Sequence, residues 1–435
     1  MAYVEIDRNY QVRAAVVFPN VLADSVSVTP ETRLEEAVGL ARAINLNVAY
    51  REIVKLREIK PSAYFSRGFV DRVKPLLETE EIELMIVDAS LTPIQQRNLE
   101  KTLKIKVIDR TALILEIFGE RAKTKEGRLQ VELAHLTYQR SRLVRSWTHL
   151  ERQRGGAGFL GPGETQIDLD RRIIDDKIVR IRKELEKVKK TRELQRSARK
   201  RIPYPVVALV GYTNAGKSTL FNCLSSAGVF AENLLFATLD PTMRRIRLPG
   251  GREVILSDTV GFISDLPHEL IMSFRATLEE VLEADVIVHV RDIANENSLA
   301  QKKDVLNVLK SLGLKNIENE SGYIEVLNKI DLLDEAGRRY LEENAARNAN
   351  VVPLSAVSGE GTERFLRLVE DKLSASFRMV EVTTDAADGK LISWIYKNTD
   401  VISAAAKGER MILRLKADDA AISKLKNKTP VRTLG

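Results

Sequence analysis

The apolar positions of this chain change their spacing from one region to the next, and each spacing predicts a different architecture. Over residues 1–118, apolar runs at 12–18, 48–56, 84–88 and 105–108 read as strands. Between them, 30–41, 69–77 and 92–103 carry apolar residues at helical spacing. Thr29 stands as N-cap of the first helix with Pro30 at its opening position, and Pro75 weakens the second. Alternation of this kind predicts a small, mostly parallel α/β domain. Asp88 and Asp109 fall at strand ends, where sites often lie, although such aspartates more commonly cap the next helix. The region holds no constellation that reads as catalytic.

The period then lengthens. Leu129, Leu133, Leu136, Leu143, Trp147 and Leu150 fall on one heptad seam, interrupted by Arg140; Ile174, Ile178, Ile181, Leu185 and Val188 fall on a second. This predicts two long helices pairing as an antiparallel coiled coil over residues 119–202. Between the seams, residues 154–163 place five glycines and a proline around Phe159 and Leu160, with Arg152 and Arg154 alongside. Thr165 and Asp168 form a capping box for the second helix. A connector alone needs fewer residues. Such a tip can enter a narrow site to touch phosphates or stack on bases, or it is a plain glycine-rich turn. The segment ends at Pro203 and Pro205, which mark a boundary.

From 203 to 377 strands and helices alternate again, predicting a doubly wound α/β domain, with a hairpin over 245–255 turning at Pro249, Gly250 and Gly251. Residues 378–435 read as a compact α/β module: helix 391–396, strand 410–415, helix 418–425. The fold class is therefore α/β, in four parts: 1–118, 119–202, 203–377 and 378–435.

Charge changes this picture at one place. The chain carries a formal net charge of +7. Residues 120–201 alone hold 23 Lys and Arg against 12 Asp and Glu, leaving the remainder mildly acidic. A basic block of this kind suits a polyanion such as nucleic acid, or is a solvated helix face. Hydrophobic content of 44% and charged content of 30% fit a soluble globular protein. No apolar run is long enough to span a bilayer, and the first residues lack the apolar core of a signal peptide. With Cys223 as the single cysteine no intramolecular disulfide forms, and a cytoplasmic setting is the simplest expectation. Cys223 is expected in the core.

The candidate chemistry lies in the third part. Apolar residues 206–210 lead into Gly211, Tyr212, Thr213, Asn214, Ala215, Gly216, Lys217, Ser218 and Thr219, which open a helix. Strand, G-x-x-x-x-G-K-[ST] and helix in that order form a phosphate-binding loop. The glycines let backbone N–H groups converge on a phosphate, Lys217 reaches the outer phosphates, and Ser218 can ligate Mg²⁺. Asp258, Thr259, Val260 and Gly261 form Asp-x-x-Gly at a strand end, with Asp258 toward Mg²⁺ and the Gly261 N–H toward the γ-phosphate. Phe236, Ala237, Thr238, Leu239 and Asp240 form a loop with a threonine for the γ-phosphate and metal; Thr242 competes with Thr238 for that role. Asn328, Lys329, Ile330 and Asp331 form Asn-Lys-x-Asp, whose last carboxylate accepts from guanine N1–H and N2 and so selects GTP over ATP. Ser355, Ala356 and Val357 place a backbone N–H near guanine O6. Lys217, Asn214 and Gly261 are the catalytic candidates. His289, inside an apolar strand, reads as a satisfied core histidine.

At these residues the chain resembles the HflX family of translation-factor-related P-loop GTPases. The family's mark is a Gly-Gly-x-Gly-x-x-Gly-Pro-Gly-Glu loop between hairpin helices, here residues 155–164, ahead of a nucleotide domain. The switch stretch 236–242 also matches. A Gly-x-Gly-Lys turn common in the family keeps only its second glycine, Gly68. The resemblance implies Mg²⁺-dependent GTP hydrolysis by a monomer in the cytoplasm, on ribosomes or peripherally on membrane. It also implies binding to the large ribosomal subunit and its rRNA, and splitting of stalled ribosomes. A nucleotide-switched RNA- or ribosome-binding regulator and an NTP-driven RNA-remodelling enzyme are the alternative readings. Phe262 stands where many GTPases carry a water-orienting glutamine, which implies slow turnover until a group is supplied in trans. Asn214 resembles the asparagine that helps bind K⁺ in cation-dependent GTPases, and it equally suits a turn.

Overall fold

The computed structural model describes residues 11–22, 28–153, 166–199, 204–225, 236, 242–264, 281–314, 316–375, 378–417 and 419–433. The glycine-rich tip, Thr165, Ala237, Thr238, Leu239 and Asp240 lie outside them. Three sheets organise the rest.

The first is parallel, in the order β2-β1-β3-β4, with β1 (Arg13–Val21), β2 (Asn47–Leu56), β3 (Leu84–Val87) and β4 (Lys106–Asp109). Its crossovers are α1 (Pro30–Ala43), α2 (Arg67–Thr79) and α3 (Pro93–Leu103). Their starts are set locally: the Thr29 side chain accepts from Thr32 N–H ahead of Pro30, and Thr92 forms a capping box with Gln95. A further helix, α4 (Arg110–Arg121), follows β4, and Asp109 caps it by accepting from Ala112 N–H. Asp88 caps nothing; it pairs with Arg110.

The predicted hairpin is α5 (Lys125–Gln153) and α6 (Gln166–Arg199). Leu136, Ile178 and Ile181 are buried between them, with Leu129, Leu133, Ile174 and Leu185 packed alongside. The interruption at Arg140 is a cross-helix ion pair, Arg140 Nε to Asp175 Oδ1 at 2.8 Å. The middle of α5 is fastened to the first sheet at Asp109. That carboxylate accepts from Tyr138 Oη at 2.8 Å and from Arg142 Nη2 at 2.6 Å. The Arg142 guanidinium lies 4.3 Å from the Tyr138 ring centroid.

The second sheet has the order β10-β9-β8-β5-β7-β6. Its strands are β5 (Val206–Gly211), β6 (Thr242–Arg247), β7 (Glu253–Asp258), β8 (Val286–Asp292), β9 (Tyr323–Asn328) and β10 (Val351–Pro353). All pairs are parallel except β6 with β7, the predicted hairpin. Helices α7 (Lys217–Ser225), α8 (Ser298–Ser311), α9 (Glu335–Arg347) and α10 (Thr362–Ala375) accompany it. Central β5 has β7 on one side and β8 on the other, so its carboxyl end opens where the strand order reverses.

The third sheet is antiparallel, in the order β12-β13-β11-β14. It comprises β11 (Arg378–Asp385), β12 (Asp400–Lys407), β13 (Arg410–Ala417) and β14 (Val431–Thr433). Helices α11 (Gly389–Asn398) and α12 (Asp419–Lys426) cover it over a core of Val380, Val382, Leu391, Ile395, Leu413, Leu415 and Leu425.

One apolar cluster runs from the first sheet into the second, and Phe118 meets Phe236 edge-on with centroids 4.8 Å apart. His289 sits in β8, 1% exposed, with Nδ1 3.0 Å from Tyr323 Oη. Burial pushes its pKa down to about 3, only partly opposed by Glu325. The unfolded chain binds a proton here near the ordinary histidine value and the folded chain does not, so stability is complete above that value and declines as pH falls. Between pH 7 and 5.5 the expected loss is about 1 kcal/mol. Urea midpoints at the two pH values check it, and His289→Gln should remove that share of the difference.

Candidate nucleotide site

The loop after β5 is shaped by two close approaches. Gly211 has φ of 154°, and a Cβ there would lie 2.2 Å from the Val290 carbonyl oxygen. Gly216 has φ of 92°, and a Cβ there would lie 2.2 Å from Asn328 Nδ2. Neither position admits a side chain. Asn214, exposed at the crest, takes φ of 59°, the left-handed region that asparagine tolerates. The Lys217 side chain is buried and its Nζ donates to the carbonyls of Tyr212 at 2.9 Å and Gly211 at 3.2 Å. Burial lowers its pKa to about 8, against the pull of Asp258. A buried ammonium with so little compensation suits a polyanion.

Ser218 Oγ donates to Asp258 Oδ2 at 2.7 Å, joining the start of α7 to the end of β7. This hydroxyl–carboxylate pair is an oxygen set of the kind a hard divalent cation takes. Among the described residues, no group of three or more His, Cys, Asp or Glu is placed to hold a metal. Thr219 follows within α7. Beyond β7, Thr259 Oγ1 donates to the Leu209 carbonyl at 2.6 Å, and Val260 is buried. A Cβ on Gly261 would stand 3.0 Å from Lys217 Nζ, so this glycine lies against the cradle. Phe262 is 2% exposed and clusters with Phe236, Val260 and Ile263. Its N–H donates to Gly211 O at 3.1 Å and its carbonyl accepts from Thr213 N–H at 2.7 Å. Thr242 lies opposite Asp258 in the β6–β7 ladder.

The Asn-Lys-x-Asp turn is brought to the same loop by one side chain. Asn328 Nδ2 donates to Ala215 O at 2.8 Å, and its Oδ1 accepts from Ala356 N–H at 3.0 Å. Lys329 takes φ of 69° and pairs with Asp292 at 2.6 Å. Ile330 is buried and Asp331 is exposed beside it. Ser355 and Ala356 are buried, whereas Val357 is 79% exposed. One expectation fails: Cys223 is exposed, because it falls on the outer face of α7 between the buried Leu220–Phe221 pair and the next turn. Sequence reasoning also missed Glu36 and Ser264, which meet Tyr212 at the edge of the site, and Arg110, which donates to both of them.

Fold and site together define the class: this is a P-loop GTPase, its Asn-Lys-x-Asp turn pinned to the loop after β5 by Asn328. Family models match along the chain. They are described as GTP-binding GTPase N-terminal (31–119), GTP-binding GTPase middle region (121–199), 50S ribosome-binding GTPase (206–329) and HflX C-terminal domain (340–423). The GTPase HflX of Magnetococcus marinus is 48% identical over 370 residues, 85% of this chain and 84% of that protein. The GTPase HflX of Escherichia coli is 42% identical over 337 residues, 78% of each. A solved structure of a GTP-binding protein from Sulfolobus solfataricus in complex with GDP is 23% identical, with a TM-score of 0.45, covering 84% of this chain and 99% of that one. The chain belongs to the HflX family of GTPases.

Gly216→Ala drives a methyl into the Asn328 amide and is expected to weaken guanine nucleotide binding on the order of 100-fold, since both Asn328 hydrogen bonds are lost. Titration of a fluorescent GDP analogue checks this; an unchanged Kd contradicts the pinning role.

Proposed function

We propose that this GTPase binds the large ribosomal subunit and its rRNA as a monomer and splits stalled ribosomes, with hydrolysis stimulated by the ribosome. The division of labour follows the four parts named above: 1–118 as base, 119–202 as probe, 203–377 as nucleotide domain, 378–435 as a docking module. The observation that carries this reading is a long hairpin whose first helix is clamped at its middle to the first sheet. Helix α5 has 29 residues, which at 1.5 Å each extends about 43 Å. Asp109 grips that helix through Tyr138 and Arg142. A basic hairpin anchored at the middle of α5 suits delivery of its tip loop, 155–164, into an RNA-lined cavity.

In the nucleotide domain, backbone N–H groups from Thr213 to Ser218 cradle the β-phosphate and Lys217 takes the outer phosphates. Mg²⁺, when bound, supplies neutralisation of phosphate charge and orients the phosphate oxygens. Ser218 would hold it directly, Asp258 through water, and Thr238 from the loop at 236–240. The Gly261 N–H binds the γ-phosphate. Asp331 accepts from guanine N1–H and N2, Asn328 and Lys329 hold that turn in place, and the segment Ser355–Ala356–Val357 offers an N–H to O6. Buried Phe262 offers no hydrogen bond to water, which supports slow hydrolysis until a partner supplies the missing group. Asn214, with its side chain exposed over the cradle, contributes to a K⁺ site; equal GTPase rates in K⁺ and Na⁺ would contradict that part.

Removing residues 156–163 is expected to leave intrinsic GTP hydrolysis intact and to end ribosome splitting. Sucrose-gradient profiles of intact ribosomes incubated with the protein and GTP check it. If splitting persists without the tip, the hairpin reading fails. Binding without splitting by the unaltered protein would favour a nucleotide-switched regulator.

A further inference from the structure

Tyr212 is part of the phosphate loop, yet its hydroxyl turns toward the first sheet's helices. It donates to Glu36 Oε2 in α1 at 2.5 Å, accepts from Ser264 N–H at 2.8 Å, and lies 2.7 Å from Ser264 Oγ. The other Glu36 oxygen takes Arg110 Nη2 at 2.6 Å. The same Arg110 nitrogen donates to the Ser264 carbonyl at 3.0 Å, and its Nη1 pairs with Asp88. Ser264 Oγ also contacts Asp304 Oδ2 at 2.8 Å. Both backbone polar groups of Ser264 are thus held, one by a phosphate-loop side chain and one by an arginine from the N-terminal region. Arg110, Asp88, Tyr212 and Ser264 are all under a tenth exposed.

Burying several charges at a contact costs desolvation, so stability is a weak reason for the arrangement. Position supplies a stronger one. Ser264 closes the short stretch that begins at Gly261, and within it Phe262 is bridged to Gly211 and Thr213. Whatever fixes Ser264 fixes the distance of the Gly261 N–H from the cradle.

We propose that Glu36 and Arg110 are positioning residues for the γ-phosphate, acting through Tyr212 and Ser264 to hold the Gly261 N–H ready, and so set the preference for GTP over GDP. This rests on the reading of Gly261 as the γ-phosphate donor. By reciprocity, a nucleotide that engages Gly261 tightens the N-terminal region onto the nucleotide domain, and one that lacks the γ-phosphate does not. A preorganised donor loses no ordering free energy on binding, which is where the discrimination arises.

The test uses the full chain without ribosomes and compares affinity for GDP and for a non-hydrolysable GTP analogue. Glu36→Ala, which removes the charge-assisted hydrogen bonds from both Tyr212 and Arg110, is expected to weaken the analogue about tenfold, with GDP affinity held within a factor of about two. Glu36→Gln keeps an acceptor for Tyr212 and should restore much of the preference. Tyr212→Phe should match Glu36→Ala on the analogue, and the double variant should be no worse than either alone, because both act on one path. Equal weakening of both nucleotides, or no change in either, overturns the proposal. Gly261→Ala separates the two readings. If it too leaves the GTP preference intact, the Gly261 reading fails; if it abolishes the preference while Glu36→Ala and Tyr212→Phe do not, the clamp fails.

Discussion

Three loops that are far apart in the chain meet at the side-chain amide of Asn328, and the site exists because that amide is satisfied on both sides. Its NH₂ group is spent on the Ala215 carbonyl and its oxygen on the Ala356 N–H. The residue is 1% exposed, so either bond left unmade would carry the full cost of a buried unpaired polar group. The approach is close enough that Gly216 has no room for a methyl. The loop after β5, the Asn-Lys-x-Asp turn and the 355–357 segment are therefore one object. The distance between the first two is set by the sheet order, with β5 next to β8 and β8 next to β9.

A second pair of polar residues divides the remaining work. Asp88 and Asp109 end neighbouring strands of the first sheet, and each reaches in a different direction. Asp88 holds Arg110, which continues to Glu36 and Ser264 and hence to the nucleotide domain. Asp109 holds Tyr138 and Arg142 and hence the middle of the hairpin's first helix. Burial and that carboxylate push the Tyr138 hydroxyl far above its ordinary value, so it stays a donor. The end of one small parallel sheet thus joins the hairpin to the nucleotide domain, with two buried carboxylates as the joint. The mostly apolar cluster around Phe118, Phe236 and Phe262 fills the space behind it.

What was legible in sequence is what is encoded locally. The phosphate loop, Asp258 with Gly261 and the Asn-Lys-Ile-Asp turn each occupy a few consecutive residues whose backbone demands are visible as glycines, asparagines and flanking apolar runs. The hairpin was legible because a heptad seam repeats. Helix α4 and strands β11, β12 and β14 were not; in β12 the alternation is diluted by the exposed Ala404, Ala405, Ala406 and Lys407 on a sheet with one wet face. Cys223 was misplaced because a short helix has few residues from which to fix its buried face. The Glu36–Arg110–Tyr212–Ser264 junction was invisible for a different reason. Its directly bonded members lie up to 176 positions apart, and none belongs to a periodic pattern. Asp88 was noticed at a strand end but read as a cap, since its arginine partner emerges only when α1 and α4 pack together.

The proposed dependence on a partner rests on Phe262, whose buried side chain offers attacking water no hydrogen bond and leaves that group to be supplied in trans. The most direct measurement is the GTP hydrolysis rate of the full chain with and without purified large ribosomal subunits, at matched K⁺ and Mg²⁺. A rise of about tenfold or more on adding the subunit is expected, the scale of one supplied catalytic interaction. A rate unchanged by saturating large subunits would contradict it.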